Sequence, residues 1–336
     1  MCYTQYVKLR KVGEKMIFEK QVINIYKGMA YTRCDDNGTA FYFTAEDFEG
    51  LRCEKYAFSS SKGHMLSGYI YSYDDPIENR LIVFDHGFGG GYTSYMKEIE
   101  MLCRHGYTVF AYDHTGCMES GGETPNGMAQ SLCDLNDCIT TLKADERFSG
   151  YDFSVMGHSW GGFSTLNISA LHPEISHIVV LSGFVSVKML VDAFFGGFLK
   201  PYRKAIMKLE EASNPEFIKY NAIETLSKSK SKALLIYSDN DMLCSKKVHY
   251  DALKNALEDK ENIRFHLERG KGHNPNYTYA AVAHLGEYVS AKNKLLKQKT
   301  PLTDAQKKEF LASFDWNRMT RQDESVWNLI FECLDN

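Results

Sequence analysis

A serine at the centre of Gly157-His158-Ser159-Trp160-Gly161 is the residue whose surroundings point most directly to chemistry. A serine hydroxyl is a weak nucleophile unless a base takes its proton and the backbone holds the side chain in the open. A sharp turn from a strand into a helix meets the second requirement, but it crowds the backbone on both sides of the serine. Glycines at positions 157 and 161 remove the side chains that would collide there. The spacing therefore predicts a nucleophilic serine on a strand-to-helix turn.

The segments on either side of this serine have the composition that such a turn requires. Residues 153–156 can form a buried strand before it, and residues 163–171 can form a helix that packs on the sheet. A helix that begins just after Ser159 would point its free N–H groups and the positive end of its dipole at the reacting centre. The alternative, a chance glycine-rich turn, is disfavoured by the strand before it and the helix after it.

A second glycine-rich stretch, His86-Gly87-Phe88-Gly89-Gly90-Gly91, follows the apolar segment 81–85. A loop that cradles a phosphate group is one interpretation of such a stretch. However, it lacks the Gly-Lys-Ser/Thr ending of a P-loop, and its spacing differs from the dinucleotide-binding fingerprint. The sequence therefore gives little support to a nucleotide site at this position.

These motifs, in this order, resemble those of the α/β-hydrolase superfamily over about residues 54–290. The serine turn is similar to the nucleophile elbow of that superfamily, and the glycine stretch is similar to its His-Gly-x-Gly loop. The resemblance implies an α/β-hydrolase fold, with a mostly parallel central sheet, flanking helices and a helical lid insert. It also implies that the backbone N–H groups of Phe88 and Trp160 form an oxyanion hole, in which losing one donor typically costs about 100- to 1000-fold in rate.

The resemblance further implies a carboxylate that orients the base. In this superfamily the acid follows a late strand, and residues 232–237 form an apolar segment of the right kind. Asp241 fits the usual position after that strand, and Asp239 is the alternative.

The base of this superfamily follows a Gly-x-Gly beyond the last strand, and His273 occupies that place after Gly270-Lys271-Gly272. His266 lies within the last predicted strand and His284 lies on the following helix, so both are poorer candidates. Ser159, Asp241 and His273 also occur in the chain order that the superfamily uses.

The chain divides into four segments on this interpretation. Residues 1–53 form an N-terminal extension, in which residues 36–38 predict a hairpin turn between β-prone segments. Residues 54–183 and 230–290 form the hydrolase core, and residues 291–336 form a helical tail. The tail either packs on the N-terminal extension or forms an interface between copies of the chain, so a homo-oligomer is left open.

Residues 184–229 are the expected lid, with helices predicted over 187–194, 202–212 and 215–226. Its apolar side chains either line an acyl or aromatic pocket or pack the lid onto the body, and both interpretations stay open. These side chains are Met189, Leu190, Phe194, Phe195 and Phe198.

The composition excludes some classes of function. The 336 residues include 39 Lys and Arg against 43 Asp and Glu, and this net charge of −4 gives no electrostatic support for binding nucleic acid or an anionic membrane. The most apolar stretch, 178–199, is interrupted by Lys188 and Asp192, whereas a membrane-spanning helix needs about 20 mostly apolar residues. We therefore expect neither a membrane span nor a nucleic-acid partner.

The nine cysteines are an odd number without a regular spacing. Because the N-terminal residues lack the basic-then-apolar layout of a signal peptide, we expect reduced thiols and a cytoplasmic protein. Cys133 and Cys138 have no second pair of Cys or His residues to complete a zinc site, and we interpret them as helix residues. The resemblance implies a reaction that needs no metal and no cofactor.

Three functions compete, two of them enzymatic and the third from another class. The first is a carboxylic ester hydrolase for small or medium acyl groups, which acts through a Ser-His-Asp triad and an acyl-enzyme. The second is a peptidase similar to prolyl oligopeptidases, acting on short peptides, although residues 1–54 contain no repeat of propeller length and no Glu-Glu or Arg cluster clearly marks capture of a peptide terminus. The third is a non-catalytic binding protein, for which Ser, Asp and His together have no use. Transfer of the acyl group to an alcohol other than water stays open.

Overall fold

Short apolar segments pair into one sheet of eight strands in the computed structural model, which describes residues 18–297 and 300–336. The strands are β1 (Arg52–Ser59), β2 (Met65–Ser72), β3 (Arg80–Asp85), β4 (Thr108–Tyr112), β5 (Asp152–His158), β6 (His177–Leu181), β7 (Lys232–Ser238) and β8 (Ile263–Glu268). Their order across the sheet is β1-β2-β4-β3-β5-β6-β7-β8. The β1–β2 and β2–β4 pairs are antiparallel and the other pairs are parallel, so the predicted mostly parallel α/β fold is confirmed.

Helices flank this sheet within the described residues. They are α1 (Glu19–Ala30), α2 (Met96–Arg104), α3 (Gln130–Ala144), α4 (Trp160–Asn167), α5 (Val187–Phe194), α6 (Arg203–Ser213), α7 (Ala222–Lys228), α8 (Asp251–Leu257), α9 (Tyr279–Leu295), α10 (Asp304–Ala312), α11 (Trp316–Met319) and α12 (Glu324–Asp335). Among the described helices, none is both long enough and apolar enough to cross a bilayer.

The central strands are apolar on both faces because helices cover both sides of the sheet. Along β3, Leu81 and Val83 belong to one hydrophobic core, whereas the alternate residues Ile82 and Phe84 belong to the other. This alternation follows from the two-residue period of a strand, which turns successive side chains to opposite faces. The two cores fix the sheet as a rigid platform for the loops at its edge.

Four of those loops converge at one edge of the sheet. The carboxyl ends of parallel strands point the same way, and ligand sites of α/β sheets form at that edge. The loop of His86–Gly91 follows β3, Ser159 follows β5, Asp241 follows β7 and His273 follows β8. The topology therefore brings distant parts of the chain to one place.

The segment between β6 and β7 is helical, but one helix is shorter than predicted. Helices α5 and α6 closely match the predicted 187–194 and 202–212. The helix predicted over 215–226 begins only at Ala222, because the side chain of Asn221 accepts the Ile223 N–H and caps the helix there. Residues 215–219 form turns instead.

The predicted hairpin around residues 36–38 is wrong. The side chains of Asp36 and Asn37 accept the N–H groups of Gly38 and Thr39, at 2.8 and 3.1 Å, and these local bonds turn the chain without pairing two strands. The segment makes one isolated bridge, between Cys34 and Cys117. Residues 1–17 of the expected N-terminal extension lie outside the described residues.

The C-terminal tail packs on the body of the protein. Trp327 and Ile330 of α12 are buried in one of the two cores, and Gln322 forms an isolated bridge with Tyr277. The ring of Trp316 lies 5.9 Å from that of Phe41 in the N-terminal segment. Contact with the N-terminal segment, one of the two interpretations left open for the tail, is therefore present.

Glu98 of α2 is buried where the tail meets the body, with 2% of its surface exposed. Its Oε1 accepts a hydrogen bond from Asn276 Nδ2 at 3.0 Å. Burial disfavours the charged form and raises the pKa of Glu98 to about 7, although the hydrogen bonds from its neighbours act in the opposite direction.

This raised pKa predicts that the folded state loses stability as the pH rises from about 4.5 to about 7. Over that range the unfolded chain releases the Glu98 proton while the folded protein still holds it, so the stabilisation present below the unfolded pKa is lost. We expect Glu98→Gln, measured by urea unfolding at pH 5 and pH 8, to remove a pH-dependent difference on the order of 3 kcal/mol. Equal pH dependence in wild type and variant would contradict this assignment.

Candidate active site

Ser159 stands at the turn between β5 and α4 with a left-handed backbone, at φ 56° and ψ −108°. The glycines on either side permit this turn. A Cβ on Gly157 would collide with the carbonyl of Gly161, and a Cβ on Gly161 would collide with the carbonyl of Asp85. The crowding predicted from the sequence is therefore present at both positions.

The three side chains predicted as a triad lie in one chain of hydrogen bonds. His273 Nε2 lies 2.8 Å from Ser159 Oγ, and His273 Nδ1 lies 2.8 Å from Asp241 Oδ2. A carboxylate can only accept, so Nδ1 carries the proton and Nε2 accepts from the serine hydroxyl. This tautomer leaves the basic nitrogen facing Ser159.

The carboxylate of Asp241 is fixed from behind. Its side chain is fully buried, and Oδ1 accepts the N–H groups of Leu243 and Cys244 at 2.8 and 3.0 Å. Burial alone would raise the pKa of Asp241, but the hydrogen bond and charge of His273, together with these two N–H groups, hold the pKa below its usual value. Asp241 is therefore a carboxylate at neutral pH.

The alternative candidates lie elsewhere. Asp239 Oδ1 accepts the Gly270 N–H at 2.8 Å, so this side chain holds the loop before His273. His266 pairs with Glu268 at 2.6 Å, and His284 pairs with Glu287 at 3.0 Å. The described contacts bring none of these three side chains to Ser159.

The predicted oxyanion donors lie on the loop after β3 and at the start of α4. Among the described residues, neither the Phe88 N–H nor the Trp160 N–H donates a hydrogen bond to another protein group. The Gly161 N–H donates to the His86 carbonyl at 3.0 Å and ties the loop to the helix. The rings of Phe88 and Trp160 pack edge to face with centroids 4.9 Å apart. Both amides are thus left open to an acceptor from outside the protein.

His158, the residue before the serine, links the loop after β3 to the loop that carries His273. The sequence did not reveal these contacts. Its Nε2 lies 2.7 Å from the His273 carbonyl, and its Nδ1 lies 2.8 Å from the Tyr95 hydroxyl. The carbonyl can only accept, so Nε2 carries the proton and Nδ1 accepts from Tyr95. The Tyr95 oxygen in turn accepts the Gly87 N–H at 3.1 Å.

This relay of hydrogen bonds, from Gly87 through Tyr95 and His158 to His273, requires a neutral imidazole at position 158. Burial, with a smaller contribution from the neighbouring His273, lowers the pKa of His158 to about 3. The ring therefore stays neutral at ordinary pH, and its Nδ1 keeps the lone pair that accepts from Tyr95. His158 thus contacts the His273 carbonyl directly and the Gly87 N–H through the Tyr95 hydroxyl.

A second buried cluster lies behind the elbow. His114 Nε2 lies 2.7 Å from Asp85 Oδ1, and His114 Nδ1 lies 3.2 Å from Asp134 Oδ2, with all three side chains fully buried. Burial alone would lower the pKa of His114, but the two carboxylates outweigh it and raise the pKa well above 6.5. Ser164 of α4 donates to Asp85, so the cluster anchors the helix that follows Ser159.

The loop that carries His273 is held by the C-terminal tail. Lys271 is 1% exposed, and its Nζ lies 2.7 Å from Asp323 Oδ2 and 3.1 Å from Glu268 Oε2. The Asp323 N–H donates to the Asn276 carbonyl at 2.8 Å. Sequence reasoning missed this clamp, because nothing local to either segment shows that they meet.

The apolar residues predicted on the lid divide into two groups. Leu190 is buried, and Met189 and Phe195 are partly buried against the core. Phe194 and Phe198 are 45% and 86% exposed. The packing interpretation therefore holds for the first three residues, while the other two present apolar surface to solvent.

A family model described as "Serine aminopeptidase, S33" matches residues 77–272, more than half of this chain. Among curated relatives, the uncharacterized protein YqkD of Bacillus subtilis is 26% identical over 138 residues, which are 41% of this chain and 43% of that protein. The chain spans between a quarter and less than half of the length of the curated relatives it matches.

Solved structures of similar fold include two esterases. The esterase Pf2001 of Pyrococcus furiosus is 19% identical with a TM-score of 0.56, covering 77% of this chain and 96% of that one. Acetyl xylan esterase 1 of Thermoanaerobacterium is 16% identical with a TM-score of 0.52, covering 84% and 94%. At this identity the likeness shows the fold alone. With the family match over 77–272, the chain belongs to the serine aminopeptidase S33 family of α/β hydrolases.

Proposed function

We propose that this protein is a serine hydrolase of carboxylic esters with small to medium acyl groups. The observation that carries the proposal is the unbroken path from Ser159 Oγ through His273 to Asp241, with 2.8 Å at both hydrogen bonds. A nucleophile, a base and a group that orients the base, in hydrogen-bond reach of one another, are the minimum for nucleophilic acyl transfer.

His273 Nε2 takes the Ser159 proton as Oγ attacks the substrate carbonyl. Asp241 keeps the proton on Nδ1 and stabilises the imidazolium that forms. The protonated Nε2 then gives its proton to the leaving alcohol, and an acyl-enzyme remains. Water, deprotonated by the same nitrogen, releases the acid and restores the serine.

The negative charge on the attacked oxygen is assigned to the backbone amides of Phe88 and Trp160. Their lack of a protein acceptor supports this role, because a donor already engaged would be lost to the substrate. Trp160 also opens α4, so the end of that helix where N–H groups are free faces the developing charge.

We assign the segment between β6 and β7 as a lid that supplies apolar surface to the acyl group. The exposed rings of Phe194 and Phe198 support this, as do Met242 and Leu243, which follow Asp241 and are 86% and 50% exposed. Exposed apolar side chains next to the triad acid, as Met242 and Leu243 are, suit an acyl chain better than a charged peptide terminus.

A peptidase is the second candidate, because the description of the matching family model names an aminopeptidase. Ester and amide hydrolysis share the acyl-enzyme route, so the nucleophile does not separate them. The substrate's leaving group and charge separate them, and the first experiment compares both.

Hydrolysis of p-nitrophenyl esters from acetate to dodecanoate should show an optimum at a short or medium chain. Ser159→Ala should lower turnover on the order of 10⁴-fold or more, because no other side chain takes over the attack. His273→Ala should have a similar effect, since the two act as a unit.

Aminoacyl p-nitroanilides run in the same assay decide between the candidates. Faster turnover of the anilides would favour the peptidase. Full ester activity in a clean preparation of Ser159→Ala, with the fold verified by circular dichroism, would eliminate the proposed nucleophile.

The two aspartates after β7 provide a matched comparison. Asp241→Asn should lower kcat on the order of 10⁴-fold, because an amide at this position favours the wrong tautomer of His273. Asp239→Asn should have a much smaller effect, since Asp239 contacts the Gly270 N–H and not the base. A larger loss in Asp239→Asn would reassign the acid.

Tyr95→Phe tests the relay through His158. Without the hydroxyl, the Gly87 N–H and His158 Nδ1 both lose their partner, so we expect kcat to fall about 10- to 100-fold through misplaced donors, with KM little changed. Steady-state kinetics on the preferred ester would measure the split.

Tyr92→Phe is the matched control for this relay. It removes another tyrosine hydroxyl of the same short segment, one that accepts from the Tyr71 hydroxyl at 3.2 Å and has no link to His158. Its kcat should stay near the wild-type value. Equal losses in the two variants would indicate a general packing defect and would dismiss the relay.

A further inference from the structure

Cys244 is a buried thiol beside the triad that the proposed reaction does not use. It lies three residues after Asp241, and 2% of its surface is exposed. Its backbone N–H donates to Asp241 Oδ1 at 3.0 Å, which fixes the Cys244 backbone beside the carboxylate. One ligand atom from each of Asp241, Cys244 and His273 lies within 4.8 Å of the other two.

We propose that these three side chains form an inhibitory site for a thiophilic divalent cation, with Zn²⁺ as the representative ion. A carboxylate oxygen, an imidazole nitrogen and a thiolate sulfur are the donors that zinc takes in proteins, at about 2.0–2.3 Å in tetrahedral geometry. Three protein ligands leave the fourth position to water. The thiol makes the site selective for a soft ion over a hard one.

Zinc at this site would change which ring nitrogen of His273 carries the proton. Because the proposed reaction depends on that nitrogen, this inference rests on the proposed function. The ion takes the lone pair of His273 Nδ1, the nitrogen that faces Asp241, and that atom loses its proton. Nε2 gains a proton in exchange, and the Cys244 thiol releases its own proton to water. A protonated Nε2 can donate to Ser159 Oγ but cannot accept from it, so the serine is no longer activated.

A second group of possible ligand atoms is less suited to an ion. Cys133, Asp134 and Asp137 also lie close together. However, Asp134 already accepts hydrogen bonds from the Thr115 N–H and hydroxyl and from Gln130, at 2.7–2.8 Å, and it lies beside His114. Within the described residues, Asp241 accepts hydrogen bonds only from His273 and two backbone N–H groups, and His273 would itself become a ligand of the ion.

The test is a ZnCl₂ titration of ester hydrolysis by wild type, Cys244→Ser and Cys53→Ser, with each variant compared with its own metal-free rate. Loss of an outer-shell partner alone typically costs about 10- to 100-fold in metal affinity, so removing a direct ligand should raise the half-inhibitory zinc concentration more than about tenfold. Cys53 is an exposed thiol on β1, remote in sequence from the triad, so Cys53→Ser should retain wild-type inhibition.

Two measurements on the unaltered protein keep the proposal testable if Cys244→Ser does not fold. EDTA should restore the rate, and MgCl₂ at the same concentrations should not inhibit, because a hard ion does not favour a thiolate. Equal inhibition by Mg²⁺ and Zn²⁺, or equal zinc sensitivity in wild type and Cys244→Ser, would overturn the site.

Calorimetric titration with ZnCl₂ separates this inference from the proposed function. One zinc bound by wild type and lost in Cys244→Ser, in a protein that cleaves no ester, would leave the metal site standing and reject the esterase. Ester cleavage without zinc binding would support the esterase and reject the metal site. Zinc binding lost only in Cys133→Ser would also reject the site at Cys244.

Discussion

The left-handed backbone of Ser159 is the constraint on which the rest of this molecule depends. A residue other than glycine at φ 56° is held there only when its surroundings over-determine it. Here neither flanking glycine has room for a side chain, because the carbonyls of Gly161 and Asp85 occupy the space. Strand β3, strand β5 and helix α4 must therefore approach one another at backbone distance. Every other part of the candidate site is placed relative to that close approach.

Charge and polarity around the elbow are arranged in layers with different tasks. Nearest the serine, the neutral His158 donates from Nε2 to the His273 carbonyl, and His273 Nε2 lies 2.8 Å from Ser159 Oγ. Behind the elbow, His114 stands between two buried carboxylates and carries a charge that packing alone could not tolerate. His114 and His158 thus differ in protonation because His114 has two carboxylate partners and His158 has none among the described residues.

The sequence was most informative where the determinants are local. Ser159, Asp241 and His273 each lie within five residues after the end of a strand, so an apolar run with a short motif after it, together with the resemblance to the α/β-hydrolase superfamily, was enough to predict them as a triad. The prediction of a hairpin at 36–38 was wrong because the side chains of Asp36 and Asn37 accept backbone N–H groups that a second strand would have paired. His158 and Lys271 went unnoticed because their partners lie 115 and 52 residues away in the chain. Such pairs leave no periodic signal in either segment.

The clamp on the His273 loop has a consequence for the order in which the protein is made. Lys271 and Asn276 find their partners in residues 322–323, which leave the ribosome after the whole sheet is complete. A nascent chain that has emerged only to residue 300 can already pair all eight strands and form the elbow. The loop that carries His273, however, still lacks the Lys271–Asp323 ion pair, one of the two ion pairs that Lys271 makes with described residues. Completion of the site during synthesis is thereby delayed until the tail has docked.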